Sequence, residues 1–447
     1  MSVCLILAKH LNLAMKSHSF YIYIFLVFIF GCTTPKWPME TEYPSEVQTA
    51  LKEFLPKLEV ALDDPSFHDE GFDFNKDYCP QLSNPYWLIP STELPEGVDP
   101  QKSNNNVSIT IFNHRLYLAF RTGPTHFASK KTGIYVISSA DGKEWRKEKE
   151  IFNGQDFREP FLIPIDGKLH FYTFGAGTKM TAFEPEFIDH FTSEGNGTWT
   201  EPEKVLTLGE VHWSIKNRNG STFMTSYIGS HYELKGPSEV RLYFKETKDG
   251  VNWKSVNDTG AVYFGGVSET AWEFDREGNL WAVTRLEDGD KTGFGSHVAF
   301  AKAGDLGNWE FPDTADVRCF MSPKMFRHGD DLYLIGRRQL GKKPFGKVTR
   351  TKKMSTQRKW NWVGYSLSPK TTALFKINKE TRKVEWVMDL PGAGDTAFPS
   401  IIRLDKHRFL IANYTSPINH QKRDWLMGQL GETKIYLQLI TFAPCGS

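Results

Sequence analysis

One unit recurs six times along this chain: a short apolar strand, a tight polar turn and a second apolar strand. The clearest copy is TAWEFDREGNLWAVTR, in which residues 270–274 and 280–285 flank a turn at Glu277 and Gly278. The other copies are SITIFNHRLYLAFR (108–121), EPFLIPIDGKLHFYTF (159–174), WSIKNRNGSTFMTSY (213–227), SPKMFRHGDDLYLIGR (322–337) and FPSIIRLDKHRFLIANY (398–414). Successive copies begin about fifty to sixty residues apart, with one longer gap. A repeat of this period is typical of architectures in which each unit packs on its neighbours.

A second periodic feature supports the first. Tryptophans at 145, 199, 253 and 309 each follow a polar turn, and their spacings are 54, 54 and 56 residues. Trp386 continues the series after an insertion. A polar turn that ends on an aromatic residue fits a second hairpin whose tryptophan packs between neighbouring sheets.

Together these features predict an all-β fold, a six-bladed β-propeller over residues 104–447. A β-sandwich is the alternative, but it does not explain so regular a period. Two strands joined by a tight turn bring their outer ends together. The copy at 270–285 therefore places Glu269 and Arg285 side by side at one end of a sheet.

The residues before the repeats divide into two parts. Residues 21–30 are an apolar run too short to span a membrane, and Gly31 and Cys32 follow it, which resembles a bacterial lipoprotein signal. We expect a signal peptide over residues 1–32, lipidation of Cys32, and a tether with a short helical or irregular extension over residues 33–103. An uncleaved membrane anchor is the alternative. Either arrangement puts the folded part in the bacterial cell envelope, in the periplasm or at the outer-membrane face.

Two segments interrupt the strand pattern. Residues 45–62 have helical apolar spacing broken by Pro56, which predicts one kinked helix or two short ones. A basic insertion at about 341–365 follows the fifth copy, and residues 341–360 contain eight Lys or Arg and no acid. The insertion is either a solvated loop or a lid that attracts an anionic glycan.

Composition excludes several functional classes. The net charge is +1, and no P-loop, dinucleotide fingerprint or paired CxxC motif is present. Apart from Cys4 and Cys32, the cysteines are Cys79, Cys319 and Cys445. Three cysteines allow one disulfide, and the sequence does not indicate which two form it. We expect no cofactor, no metal and no nucleic acid. The expected partners are a carbohydrate and, through acyl chains alone, a membrane, and the chain is expected to be a monomer.

In a propeller, the first strand of each sheet lines the central channel. The residues at its start, and at the end of the second strand, therefore ring one face. In this chain those positions hold carboxylates, arginines, a histidine and aromatic rings: Asn105, Asn106, Arg121, Arg158, Glu159, Phe174, His212, Trp213, Tyr227, Glu269, Arg285, Ser322, Arg337, Arg338, Asp395, Asn413 and Tyr414. Such a set suits sugar rings that bear carboxylate or sulfate groups. Alternatively, each acid–arginine pair is only an ion pair between sheets.

Several of these motifs resemble the sialidase superfamily of six-bladed propellers over about residues 104–440. The turns SSADGKEW and ETKDGVNW are similar to its Asp-box turns, and Glu269 with Arg285 matches the glutamate and second arginine of one blade. The segment GDTAFPSIIRLDKHRFLIANY resembles the last blade, which carries the nucleophilic tyrosine. The resemblance implies the fold and an activity on glycans.

The chain also departs from that family. Phe398 stands at the position of the nucleophile, residues 105–107 replace the Arg-Ile-Pro opening, and residues 122–126 contain no aspartate to match the acid. Arg337 is available as a third arginine. The segment 158–160 also resembles the Arg-Asp-Pro motif of five-bladed furanosidases. The departures therefore argue against authentic sialidase activity.

The leading prediction is a glycoside hydrolase in which two carboxyl groups divide the work. The candidate catalytic residues are Glu159, Glu269 and Asp395. The candidate substrate-binding residues are Arg121, Arg158, His212, Trp213, Tyr227, Arg285, Arg337 and Tyr414. Two alternatives stay open: a polysaccharide lyase that uses His212, Tyr227, His231 and Arg285 on a uronic polymer, and a non-catalytic glycan-binding propeller.

Overall fold

Six antiparallel sheets follow one another along the chain and carry nearly all of its strands. The computed structural model describes residues 37–61, 64–180, 182–233, 235–257, 260–341 and 353–446. About 48% of the structure is strand and 9% is helix. The predicted all-β class and the six-bladed propeller are confirmed.

Each sheet is numbered as a blade in chain order. Strands β1 (Tyr78–Leu82) and β2 (Tyr86–Ile89) precede the blades. Blade 1 contains β3 (Ser103–Phe112), β4 (Arg115–Gly123), β5 (Gly133–Ser139) and β6 (Trp145–Ile151). Blade 2 contains β7 (Phe157–Ile165), β8 (Lys168–Gly175), β9 (Ile188–Ser193) and β10 (Glu203–Val205). Blade 3 contains β11 (Val211–Arg218), β12 (Ser221–Gly229), β13 (Val240–Thr247), β14 (Lys254–Ser255) and β15 (Ala261–Gly265).

Blade 4 contains β16 (Thr270–Phe274), β17 (Leu280–Thr284) and β20 (Val298–Ala301), with an added hairpin of β18 (Leu286–Asp290) and β19 (Gly293–Gly295). Blade 5 contains β21 (Met321–His328), β22 (Asp331–Gln339), β23 (Lys370–Asn378) and β24 (Lys383–Leu390). Blade 6 contains β25 (Ser400–Arg403), β26 (Arg408–Thr415) and β27 (Lys434–Pro444). The α-helices are α1 (Glu46–Phe54), α2 (Met354–Ser366) and α3 (Trp425–Gln429), with 3₁₀ turns at Leu55–Lys57, Pro65–His68 and Ile418–His420.

The first strands of the six blades surround one axis. A single cavity is lined by residues of β3, β7, β11, β16, β21 and β25 together. Neighbouring first strands are in contact, and β25 of blade 6 contacts β3 of blade 1, so the ring closes. Residues far apart in the sequence thus meet at the two ends of the axis.

The N-terminal part of the chain completes blade 6. Strand β1 pairs antiparallel with β27, from Tyr78 opposite Pro444 to Leu82 opposite Ile440, and β2 also pairs with β27. A disulfide joins Cys79 to Cys445 beside this pairing, while Cys319 is free and buried. Chain segments from both ends of the propeller therefore share one sheet, which holds the ring closed.

We expect Cys79→Ser to destabilise the protein without changing its fold. The disulfide closes a loop of 366 residues, and removing a long-range crosslink costs roughly 2–4 kcal/mol, mainly by freeing the unfolded chain. Urea unfolding in the presence and absence of dithiothreitol measures the effect. The reductant should lower the midpoint of the wild type to that of the variant and leave the variant unchanged. Equal midpoints for all four samples would contradict this prediction.

The predicted turns lie where the sequence puts them. Asn113, Asp166 and Asn219 have φ of 48°, 48° and 50°, and Gly278 and Gly329 have 84° and 57°, the left-handed conformation of tight hairpin turns. The two Asp-box-like turns are alike in their hydrogen bonds. In one, Asp141 Oδ1 accepts from the N–H groups of Lys143 and Glu144, and in the other Asp249 Oδ1 accepts from Val251 and Asn252.

Four of the five repeated tryptophans pack between blades, as predicted. Trp145 is buried with residues of blade 6, Trp199 packs in a cluster of blade 1 and blade 2 residues, and Trp253 and Trp309 pack against Tyr172 of blade 2 and Phe244 of blade 3. The prediction for Trp386 is wrong, because its side chain is 54% exposed. It lies in the middle of β24 instead of at the start of a strand after a turn, so it faces solvent, where it bonds to Asp389.

The N-terminal extension lies along the base of the propeller. Helix α1 ends before Pro56, as the sequence predicts, and buries Val47, Ala50, Leu51 and Phe54 on one face. Farther on, Asp64 bonds to Arg218 of blade 3 (2.5 Å) and Asp69 bonds to Arg327 of blade 5 (2.8 Å). This segment lies at the end of the axis that carries the hairpin turns, and we call the opposite end, where the first strands begin, the mouth.

Candidate active site

Side chains of all six blades meet where the first strands begin. The pairing registers place Asn105 opposite Arg121, Arg158 opposite Phe174, Val211 opposite Tyr227 and Met321 opposite Arg337. In blade 4, the Arg285 N–H donates to the Glu269 carbonyl at 2.8 Å. The predicted neighbourhood of Glu269 and Arg285 is confirmed.

Irregular backbone aims these residues at the axis. The first strand is bulged near its start in blades 1, 2, 3 and 5. Asn106, Glu159, Ser322 and Ala397 have φ of 45°, 50°, 51° and 68°. A non-glycine residue in this region costs about 1–3 kcal/mol and persists only where its surroundings hold it, which is common at functional sites. Here the strain lies around the mouth.

Glu159 on β7 is the most perturbed carboxyl group of the mouth. Its Oε2 is buried without a hydrogen-bond partner, and its backbone carbonyl accepts from His212 Nε2 at 2.7 Å. Burial first, and then the negative charge of Glu269, raise the pKa of Glu159 to about 8, although Arg158 and Asn106 act in the opposite direction. Glu159 is therefore mainly protonated at neutral pH.

Arg285 on blade 4 is held by two buried carboxylates. Its Nη1 donates to Glu269 Oε1, and its Nη2 donates to Glu287 Oε2 and, at 2.7 Å, to the Tyr232 hydroxyl group. The other oxygen of Glu269 accepts from the backbone N–H of Ser322 at 2.8 Å. Glu269 is thereby fixed between blades 4 and 5.

Asp395, in the segment that leads into blade 6, is saturated with donors. Its Oδ1 accepts from the Tyr414 hydroxyl group (3.0 Å) and Trp425 Nε1 (3.1 Å), and its Oδ2 contacts His126 Nδ1 at 2.6 Å. Burial would raise the pKa of Asp395, but His126 and then Arg337 outweigh burial and hold it below its ordinary value. Because Asp395 is 0% exposed, the prediction that it acts on the substrate directly is wrong.

Arg121 and Arg158 share one carboxylate, that of Asp156. Arg121 donates to Oδ1 at 2.6 and 2.8 Å, and Arg158 Nε donates to Oδ2 at 2.7 Å. Arg121 is fully buried and also donates to Asn105 and to two backbone carbonyls. The prediction that Arg121 binds substrate is therefore wrong, because none of its nitrogens is accessible. Arg158 keeps 17% of its side-chain surface accessible.

Arg337 differs from these arginines because its hydrogen-bond partners are neutral. It donates to the carbonyls of Thr396 (2.6 Å) and Ala397 (3.1 Å), and it lies 5.0 Å from the centre of the Trp425 ring. Its Nη1 makes long contacts with the Tyr365 hydroxyl group, at 3.5 Å, and with Met321 Sδ, at 3.9 Å. Among the described residues, no carboxylate forms an ion pair with Arg337.

Three further predicted binding residues are largely buried. His212 is fully buried, and burial lowers its pKa to about 4, although its bond to the Glu159 carbonyl acts in the opposite direction. Trp213 donates across the axis to the Pro323 carbonyl and packs on Phe398, so it closes the channel instead of offering an open stacking face. Tyr227 is 5% exposed. The predictions for His212 and Trp213 are wrong because the first strands pack tightly below the mouth, while that for Tyr227, which lies on the second strand β12, stays a prediction.

The structure adds residues that the sequence analysis did not select. They are His126, Asp156, Tyr232, Glu287, Tyr365 and Trp425. Asp156 lies two residues before Arg158, and Glu287 lies two residues after Arg285. Residues two apart in a strand point to the same face of the sheet, so this spacing could have identified both acids from the sequence. His126 had no such signal, because its partner Asp395 is 269 residues away.

Helix α2, within the predicted insertion, forms a wall beside the mouth. Its Arg358 is fully buried and donates to the Asp288 carbonyl (2.7 Å) and to Ser238 Oγ (2.6 Å). Trp362 of the same helix packs on Tyr232, with ring centres 5.6 Å apart. Residues 354–366 therefore form a helix that packs against the propeller. Residues 342–352 of the insertion lie outside the described residues.

The predicted signal peptide and lipidated Cys32 also lie outside the described residues and stay predictions. Within the part of the chain that the structure describes, no helix is long and apolar enough to cross a membrane. The same residues contain no group of three or more His, Cys, Asp or Glu side chains arranged to hold a metal ion.

Comparison with known proteins gives matches among solved structures alone, since no family model and no curated protein matches the chain. A Dyadobacter fermentans protein of unknown function superposes with a TM-score of 0.51 at 14% identity, covering 76% of this chain and 95% of that one. The phage phi92 endosialidase has a TM-score of 0.50 at 10% identity, covering 78% and 69%.

Trypanosoma rangeli sialidase in complex with sialic acid also has a TM-score of 0.50, at 13% identity, and covers 84% of this chain and 58% of that one. At these identities the likeness concerns the fold. The chain has a six-bladed β-propeller arrangement similar to that of these solved sialidase structures.

Proposed function

We propose that this protein is a glycoside hydrolase that cleaves a glycan with Glu159 as its general acid. One observation carries the proposal. Glu159 has a pKa of about 8 and a buried carboxyl oxygen without a partner, at the mouth of a propeller. A carboxyl group that stays protonated at neutral pH can donate its proton to the glycosidic oxygen as that bond breaks.

Glu269 is proposed as the second catalytic carboxyl group. Arg285 and the Ser322 N–H fix both of its oxygens, so its position does not depend on a ligand. Its negative charge raises the pKa of Glu159. The same charge would stabilise the positive charge that develops on the sugar ring in an oxocarbenium-like transition state.

Arg337 supports an anionic glycan as the substrate. Arg337 is 5% exposed and its guanidinium group bonds to neutral groups, whereas buried charges are normally paired. A carboxylate or sulfate group of a sugar would supply the missing negative charge. Trp425, which is partly exposed, lies beside the guanidinium and offers an aromatic surface to the sugar.

A polysaccharide lyase is the second candidate, and the observation that favours it is His126. Burial lowers the pKa of His126, even though the adjacent Asp395 acts to raise it, so this imidazole is largely neutral at neutral pH and can accept a proton. In a lyase, such a base removes the proton next to a uronate while an arginine neutralises the carboxylate. His126 would replace His212 in the role that the sequence suggested.

The test is incubation of the protein with neutral, uronic and sulfated polysaccharides, following new reducing ends and the absorbance of unsaturated uronates together. The proposal predicts reducing ends without that absorbance, and Glu159→Gln should abolish them. A parallel rise of both signals that persists in Glu159→Gln would establish the lyase instead. Binding without either signal would leave a glycan-binding propeller.

A further inference from the structure

We infer that His126 and Asp395 form a catalytic dyad, in which Nε2 of His126 takes the proton of the attacking water and Asp395 positions the ring. The inference deepens the proposed function and rests on it. Glu159 supplies the proton for the leaving oxygen, but no carboxylate described above remains to activate water. Glu269 is held by Arg285 and Ser322, and Asp395 is fully buried.

The bond between Asp395 and His126 fixes which nitrogen of the ring is the acceptor. Nδ1 lies 2.6 Å from Asp395 Oδ2, and the same carboxylate receives two other donors, from Tyr414 and Trp425. A carboxylate accepts hydrogen bonds, so Nδ1 carries the proton. In neutral His126, Nε2 is therefore the acceptor.

Nε2 is also the nitrogen that a ligand can reach. The His126 side chain keeps 11% of its surface accessible. Among the described residues, none is bonded to Nε2, and Nε2 is not one of the fully buried atoms without a partner. A second His–Asp pair among the described residues differs in this respect, because His231 bonds to Asp288 at 2.5 Å but buries its Nε2.

Hydrogen bonds also fix the backbone of the loop that carries His126. The His126 N–H donates to the Gln429 carbonyl at 3.0 Å, and its own carbonyl accepts from Arg158 Nη2 at 2.9 Å. The charge of Arg158 also acts on Glu159. One guanidinium group thus lies between the proposed base and the proposed acid, and a base fixed before the substrate binds avoids the entropic cost of ordering it.

The proposed step balances as follows. The water oxygen bonds to the anomeric carbon while one water proton moves to Nε2 of His126. The glycosidic C–O bond breaks, its electron pair goes to the leaving oxygen, and the Glu159 proton follows. His126 is then an imidazolium stabilised by Asp395, and Glu159 is a carboxylate, so a proton returned through solvent restores both groups.

The first arm of the test needs no substrate. Nitrogen-15 spectra of histidine-labelled protein at pH 7 should show His126 neutral with its proton on Nδ1, and Asp395→Asn should change that signal. A proton on Nε2, or a signal that does not respond to Asp395→Asn, would overturn the dyad irrespective of any activity.

The second arm measures the base on whichever glycan the wild type cleaves. The Asn side chain keeps a donor near the position of Nδ1 and lacks Nε2, so His126→Asn should lower kcat/KM about 10²–10⁴-fold while leaving Tm nearly unchanged. His126→Ala should recover activity with added imidazole, and the matched His231→Ala should not. Full activity of His126→Asn, or a loss of activity in His126→Ala that imidazole does not relieve, would overturn the role of His126 as the base. A wild type that cleaves no glycan would instead remove the proposed function, and the base role with it.

Discussion

Glu159→Gln should lose nearly all glycan cleavage and, at alkaline pH, become more stable than the wild type. Loss of a general acid costs about 10²–10⁴-fold in rate, because the amide has no proton to give to the leaving oxygen. The hydrogen bond that His212 Nε2 donates to the backbone carbonyl of Glu159 does not involve the Glu159 side chain. The variant should therefore keep its fold.

The gain in stability follows from the sign of the pKa shift. Folding raises the pKa of Glu159 from 4.5 to about 8, so the folded state disfavours the charged form. Stability linked to this group is fully present below pH 4.5 and is lost as the pH rises through 8. The amide that replaces the carboxyl group in Glu159→Gln carries no charge at any pH. The variant should therefore nearly match the wild type at pH 5 and exceed it at pH 9 by on the order of 5 kcal/mol, since one pKa unit corresponds to about 1.4 kcal/mol.

Urea unfolding at the two pH values measures this difference. Glu186→Gln is a suitable control, because Glu186 is a partly exposed carboxylate whose side chain accepts only from Gln155 in the described chain. The account is contradicted if Glu159→Gln is destabilised by the same amount at pH 5 and pH 9, since the carboxyl group would then be an ordinary structural anion.

Arg285→Met should be the most destabilising single change at the mouth. It leaves Glu269 and Glu287 buried without the guanidinium that bonds to both of them. Removing one partner of a buried ion pair costs about 3–5 kcal/mol, because the remaining charge is uncompensated. Protonation relieves an unpaired carboxylate, so the loss should be smaller at pH 5 than at pH 8.

Arg338→Met is the matched control on the neighbouring blade. Arg338 also pairs with a carboxylate, that of Asp389, but its side chain is 31% exposed. Pairs of this kind contribute about 0–1 kcal/mol. Unfolding midpoints of both variants at the two pH values make the comparison. Equal losses in the two variants, or a loss in Arg285→Met that does not depend on pH, would show that burial does not make the Arg285 group exceptional.

The sequence predicts those features that depend on neighbours in the chain. Strand alternation, turn residues and the period of the tryptophans define the blades, and the geometry of a hairpin is sufficient to bring Arg285 to Glu269. Trp386 shows the limit of this reasoning, because the residue type recurs while its place within the strand changes. Only its position in β24 decides that it faces solvent.

Pairing across the ring is not readable from one sequence. His126 meets Asp395 because blade 1 closes against blade 6, and the closure depends on strand β1 and on the packing of all six blades. The sequence also does not show which charged side chains are neutralised in the interior. Arg121 and Arg337 occupy equivalent positions at the ends of second strands, yet Asp156 neutralises Arg121 while Arg337 donates to backbone carbonyls. Their different roles follow from which neighbours complete the contacts.

The pH dependence of kcat/KM on a glycan that the wild type cleaves tests the central claim most directly. If Glu159 is the general acid, the rate should fall tenfold per pH unit above about 8 and hold a plateau below it, until His126 becomes protonated at a pH below 6.5. A rate that keeps rising through pH 9 would contradict the account, because it would mean that no group titrating near 8 has to be protonated for cleavage.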